Sequence, residues 1–180
     1  MPIKTTQEMY LHELGDIYDA EQQFLKGQEE MHKNATDQKL KSGIEQHITE
    51  SQQHVKNIER VFELLGEKPK AEKCPAAAGI VTEAKQGMKE AGTNEIRDCM
   101  IGESAEKAEH YEIVSYHGLI EGAQLMGQQQ IVQLLQQNLQ QEEKTAQTLE
   151  KNAPALMKKA MQAEGMQGQQ AGQASQQTMR

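Results

Sequence analysis

The sequence predicts an all-α fold, a four-helix bundle made of two antiparallel helical hairpins with a short extra helix in the crossover between them. Three observations carry this. The 180 residues are rich in Glu, Gln, Lys, Leu, Met and Ala with only four prolines, a composition of long helices. Apolar residues recur at helical spacing over four long stretches, and aromatic residues make up only 3%, so Leu, Ile, Val, Met and Ala must fill a narrow core.

The first helix is expected to begin at Thr5 or Thr6, because Thr5 followed three positions later by Glu8 reads as a capping box, and to run to about Asn34. Its inward stripe is Tyr10, Leu14, Ile17, Glu21, Phe24, Gln28 and Met31. Beyond the break at Thr36 and Asp37, a second helix carries Leu40, Ile44, His47, Ser51, His54, Ile58, Val61 and Leu65, and ends at Gly66 with Pro69 following. Residues 67–77 read as a connection, with a short helix around 80–88. Gly92, Thr93 and Asn94 open a third long helix with Ile101, Ala105, Ala108, Glu112, Tyr116 or Ser115, and Leu119 inward, running to about Met126. After a turn at Gly127 the fourth presents Ile131, Leu135, Leu139, Glu142, Ala146 and Leu149. Residues 1–160 form the expected bundle; 161–180 are Gln, Gly, Ala and Ser with scattered methionines and read as a flexible tail.

Charge narrows the partners. The formal charge of −8 argues against nucleic acid or an anionic membrane, which require basic surface. No stretch is apolar enough to span a bilayer and none resembles an export signal, so a cytoplasmic location is expected. Cys74 and Cys99 lack metal or redox spacing and are read as free thiols.

The chemistry lies in the acids that interrupt the apolar stripes. In an antiparallel hairpin, residues equidistant from the turn sit at one height. The midpoint of Glu21 and Glu50 falls between residues 35 and 36, at the first turn, and that of Glu112 and Glu142 falls at Gly127. Hairpins packed face to face therefore bring four carboxylates to one level. Uncompensated, such a cluster would repel and take up protons; bound cations resolve the conflict. Carboxylate and imidazole donors suit iron or manganese. Glu109 shares a helix face with Glu112, and His47 and His54 flank Glu50.

Five stretches carry a family resemblance: DIYDAEQQ around Glu21, HITESQQHVKNIERVFELLG around Glu50, CPAAAGIVTE at 74–83, EKAEHYEIVSYHGL around Glu109 and Glu112, and LLQQNLQQEEKTAQTL around Glu142. Together they resemble the YciE/YciF family of bacterial ferritin-like stress proteins. The resemblance implies a ferritin-like fold, a homodimer and a rubrerythrin-type site for two metal ions. Carried over residue by residue, it gives Glu21, Glu50, Glu109, Glu112 and Glu142 as carboxylate ligands and His54 as a displaced imidazole. The usual bundle repeats Glu-x-x-His on two helices, whereas positions 53 and 145 here are Gln and Thr. His47, His110 and Glu143 remain open as ligands or supports, and Tyr18, Tyr111 and Tyr116 either bond ligating carboxylates or pack on the seam. The implied function is stress-related handling of peroxide or oxygen by two iron or manganese ions, with Glu50 and Glu142 bridging; the competing one is metal storage or a dimeric scaffold without turnover. No catalytic residue is singled out. Two cysteines cannot build a four-cysteine iron site, so electrons would come from another molecule or the reaction would be a disproportionation.

Overall fold

The computed structural model describes residues 2–177, with side chains to residue 165. Five helices follow in order: α1 (Thr6–Asn34), α2 (Gln38–Leu64), α3 (Pro75–Glu90), α4 (Asn94–Leu125) and α5 (Gln129–Gln177), with no strand among the described residues. Helix α1 pairs with α2 and α4 with α5; α2 lies on α5, α1 on α4, and α3 bridges α1 and α4. This is the expected bundle of two hairpins with a crossover helix.

Local chemistry sets the ends. Thr5 and Glu8 form the reciprocal capping box at the start of α1. Asp37 caps α2 by accepting from the backbone of Lys39 and Leu40, each at 3.0 Å. The intervening turn is held from α4, where buried Asp98 accepts from Thr36 N at 2.8 Å, Thr36 Oγ1 at 2.7 Å and Asp37 N at 2.8 Å. The tight turn between α4 and α5 places Gly127 at φ 69°, where a side chain would be strained. The crossover crosses α1 so closely that a Cβ on Gly15 would lie 2.8 Å from the carbonyl oxygen of Lys70.

Helix α3 starts earlier than expected, at Pro75, because Cys74 serves as N-cap and Pro75 occupies a position whose N–H needs no partner. Helix α5 continues past the predicted end of the bundle, since Gln, Ala, Glu and Met all tolerate helix. Its packed portion ends at Ala160, the last buried residue among those with described side chains. Of the expected flexible tail, 178–180 lie outside the described residues.

The core is split. One cluster, including Leu14, Ile17, Ile58, Val61, Leu119 and Leu135, fills the end near the turn between α4 and α5. A second, including Met31, Leu40, Ile44, Ile101 and Leu156, fills the end near the turn between α1 and α2. Each fully buried aliphatic side chain stabilises the fold by about 1.5–3 kcal/mol. A polar layer lies between these clusters.

Candidate metal centre

The polar layer is built from four helices. Glu21 on α1, His54 on α2, Glu112 on α4 and Glu142 on α5 each have 0% exposure, and Glu109 on α4 has 1%. His47, two turns before His54 on the same face of α2, is also buried. The potential ligand atoms form two groups, each lying within 4.8 Å of one another: Glu21, His54 and Glu142, and His47, Glu109, Glu112 and Glu142. Glu142 belongs to both.

Each imidazole is oriented from behind. His54 Nε2 donates to Gln141 Oε1 at 2.8 Å, which turns Nδ1 inward, 2.7 Å from Glu142 Oε1 and 3.4 Å from Glu21 Oε1. His47 turns Nδ1 toward Thr145 Oγ1 at 3.2 Å and Glu50 Oε2 at 3.5 Å. Its Nε2 then faces Glu109 Oε1 at 3.1 Å and Glu142 Oε2 at 3.4 Å. Tyr116 donates to Glu21 Oε1, and its own oxygen accepts from Asn138, which in turn accepts from Asn57 at 2.7 Å.

The charges do not balance within the protein. Four buried carboxylates, Glu21, Glu109, Glu112 and Glu142, face two imidazoles, and among the described residues no Lys or Arg pairs with any of the four. Both oxygens of Glu112 and Oε2 of Glu21 and Glu109 lack a hydrogen-bond partner. Glu142 finds only imidazole nitrogens, contacts that become hydrogen bonds only when the nitrogen or the carboxyl carries a proton. Burial, reinforced by the charges of Glu142, Glu21 and Glu109, holds the Glu112 carboxyl well above the usual range. Burial and Glu109 do the same to Glu142. Burial opposes charging of His54, but bonds to Glu142 and Glu21 outweigh it and push its pKa up to about 10. Likewise His47 is held well above its ordinary value, with Glu109 the leading partner against the opposing burial. Without cations, burial and mutual repulsion favour the protonated forms of Glu112 and Glu142, and the facing carboxylates favour protonated imidazoles.

Five of the six residues expected as ligands converge: Glu21, His54, Glu109, Glu112 and Glu142. Glu50 stands at the rim, with 16% of its side chain exposed and Oε1 accepting from Gln46 at 2.9 Å. His47 contributes its imidazole at that level instead. It also resolves the missing second histidine: Thr145, where the usual motif would place one, contacts the ring of His47 reaching across from α2. The signal was the position of His47 in the apolar stripe, seven residues before His54. Glu143 and His110 lie outside the layer, exposed and near His117 at 3.8 Å and Glu150 at 3.7 Å respectively. Of the tyrosines, Tyr116 meets a cluster carboxylate, whereas Tyr18 bonds Glu59 and Tyr111 bonds Asp16. Both cysteines are free; Cys74 Sγ lies 3.0 Å from the Tyr111 hydroxyl.

Residues 5–162 match a family model described as a domain of unknown function, DUF892. Protein YciF of Escherichia coli K12 is 32% identical over 146 residues, covering 81% of this chain and 88% of that protein. Among solved structures, the E. coli stress protein YciF superposes with a TM-score of 0.83 at 30% identity, covering 87% of this chain and 99% of that one. YcfI from Rhodopseudomonas palustris superposes with a TM-score of 0.80 at 36% identity, covering 82% and 94%. A Xanthomonas campestris protein does so with a TM-score of 0.72 at 26% identity, covering 88% and 97%.

Proposed function

Because the chain belongs to the DUF892 family of YciE/YciF-like, ferritin-like helical bundles, we propose that it binds two iron or manganese ions in its polar layer and uses them to handle peroxide or oxygen under stress. The observation that carries the reading is the double membership of Glu142. Its two oxygens face two neighbouring groups of donors, Glu21 with His54 on one side and His47 with Glu109 and Glu112 on the other. A carboxylate shared by two such groups would help to hold a cation in each.

The donor set fits hard-to-borderline divalent ions: carboxylate oxygens dominate, with one imidazole to each group and no thiolate. Glu21, Glu109 and Glu112 would complete the sites, with Glu50 supporting His47 from the rim. Bound iron or manganese would supply Lewis acidity and redox capacity toward a small oxidant. The protein's own contribution is orientation and proton handling. Gln141 fixes His54 with Nδ1 inward, Thr145 and Glu50 fix His47 with Nε2 inward, and Tyr116 holds Glu21. Metal uptake requires that the protons on His54 Nδ1, His47 Nε2 and Glu112 leave, so affinity rises with pH. Glu21, His54, Glu112 and Glu142 are fully buried, which keeps water from those four side chains.

The test is reconstitution with Fe(II) or Mn(II), metal analysis, and measurement of peroxide consumption. About two metals per chain with turnover is expected. Metal without turnover supports storage instead, and uptake no greater than in Glu142→Ala overturns the metal reading.

A further inference from the structure

A further group of donors lies outside the polar layer, on the solvent side of the α4–α5 hairpin. Glu106 and His110 stand one turn apart on α4, and Glu150 approaches them from α5. One carboxylate oxygen from each acid and a ring nitrogen of the imidazole all lie within 4.8 Å of one another. His110 Nε2 is 3.7 Å from Glu150 Oε1. His110 and Glu150 are exposed and Glu106 is half-buried, so dissolved ions reach the group directly.

Two observations separate this group from an ordinary acidic patch. The nearest base in the chain, Lys107, is turned toward α3, where it pairs with Glu83 at 2.6 Å, and toward Glu103 at 3.1 Å. Among the described residues no Lys or Arg pairs with Glu106 or Glu150, so two carboxylates converge on one imidazole without a cationic side chain between them. The other observation is donor chemistry and spacing. A zinc ion held tetrahedrally by three protein ligands and one water, with bonds of about 2.0–2.1 Å, sets its ligand atoms roughly 3.4 Å apart. The contact between His110 and Glu150 is already near that separation. The remaining closure needs only rotation of exposed side chains, because α4 and α5 are packed against each other beneath them.

We propose that Glu106, His110 and Glu150 bind one zinc-class divalent cation through two carboxylate oxygens and one ring nitrogen, with water completing the shell. The imidazole favours zinc over magnesium and calcium, which take oxygen ligands and would find only two here. None of the three residues belongs to the polar layer, so this site stands or falls independently of the metal centre assigned there.

The experiment titrates the full chain with Zn2+ by calorimetry and locates the ion by anomalous scattering at the zinc edge. Glu142→Ala serves as the background, since it removes the carboxylate shared by both interior groups. In that background a Zn2+ ion is expected between Glu106, His110 and Glu150. Adding His110→Ala should weaken its binding by at least about tenfold, since even a residue that only supports a metal ligand is worth that much. A millimolar excess of Mg2+ should leave the zinc in place. If Glu142→Ala fails to fold, wild type against His110→Ala should show the same loss of one ion. Absence of zinc at these three residues overturns the proposal. So does zinc that Mg2+ displaces, or that binds as tightly after His110→Ala, since either result describes a negative surface without a coordinating imidazole.

Discussion

Replacing Glu112 by Gln should stabilise the metal-free protein at alkaline pH while destroying its capacity for metal. Glu112 is fully buried, neither oxygen has a partner, and its neighbours Glu21, Glu109 and Glu142 are also acids. Burial and those charges raise its folded pKa well above the ordinary carboxyl value, so between the unfolded and folded pKa the native chain holds a proton that the unfolded chain has lost. Stability then falls as pH rises, by about 1.4 kcal/mol per pH unit for each such proton. The raised pKa of His54, about 10, acts in the same direction: its contribution is complete below the ordinary value of 6.5 and is lost as pH rises through about 10. Metal-free wild type should therefore be more stable at pH 5 than at pH 9. Glutamine keeps the shape of Glu112 without the titration. Removing a carboxyl whose ionisation is opposed by burial should gain about 1–3 kcal/mol at pH 9, the scale of one unsatisfied buried polar group. That corresponds to an increase in Tm of roughly 2–12 °C for a chain of this size. At pH 5, where Glu112 is protonated, the gain should nearly vanish. Thermal unfolding followed by circular dichroism at both pH values measures it. Destabilisation of equal size at both would show that Glu112 is not held in a charge-opposed environment, and the reasoning would fail.

Three further outcomes follow from the same geometry. Glu142→Ala should abolish metal uptake, Glu50→Ala should reduce it and Glu143→Ala should leave it unchanged, all by metal analysis after reconstitution; equal losses would contradict the facing described. Asp98→Ala removes the acceptor of three hydrogen bonds to the turn between α1 and α2 and should lower unfolding free energy by about 2–4 kcal/mol in denaturant titration; no change would show that the turn holds itself. Deleting 162–180 should change stability by less than about 1 kcal/mol, because no side chain described beyond Ala160 is buried; a large drop in Tm would show that this segment packs.

The bundle was legible because periodicity and caps agree: Thr5 with Glu8, Asp37, Thr93 and Gly127 mark ends that the apolar stripes already imply. The carboxylate layer was legible through the symmetry of each pair about its turn. Three features were not. Periodicity placed Leu139 inward, where it packs half-buried on the core, but it did not show that Asn138 beside it is fully buried, its burial made tolerable by hydrogen bonds with Asn57 and Tyr116. A stripe of apolar residues cannot announce such a polar ladder. The start of α3 was hidden because Pro75 reads as a breaker until Cys74 is seen to cap it. The withdrawal of Glu50 to the rim was also hidden. It lies three residues from His47 near the inward face of α2, and although the apolar stripe already held His47, the contact with Thr145 on the facing helix is visible only in the structure.

The central claim is that the buried acids hold two cations. Anomalous diffraction from crystals grown with Fe(II) or Mn(II), recorded above and below the metal edge, addresses it directly. The account predicts two peaks on opposite sides of the Glu142 carboxylate, one beside His54 and Glu21 and the other beside His47, Glu109 and Glu112. A polar layer without anomalous density, with Glu21, Glu109 and Glu142 still against the two imidazoles, would contradict it.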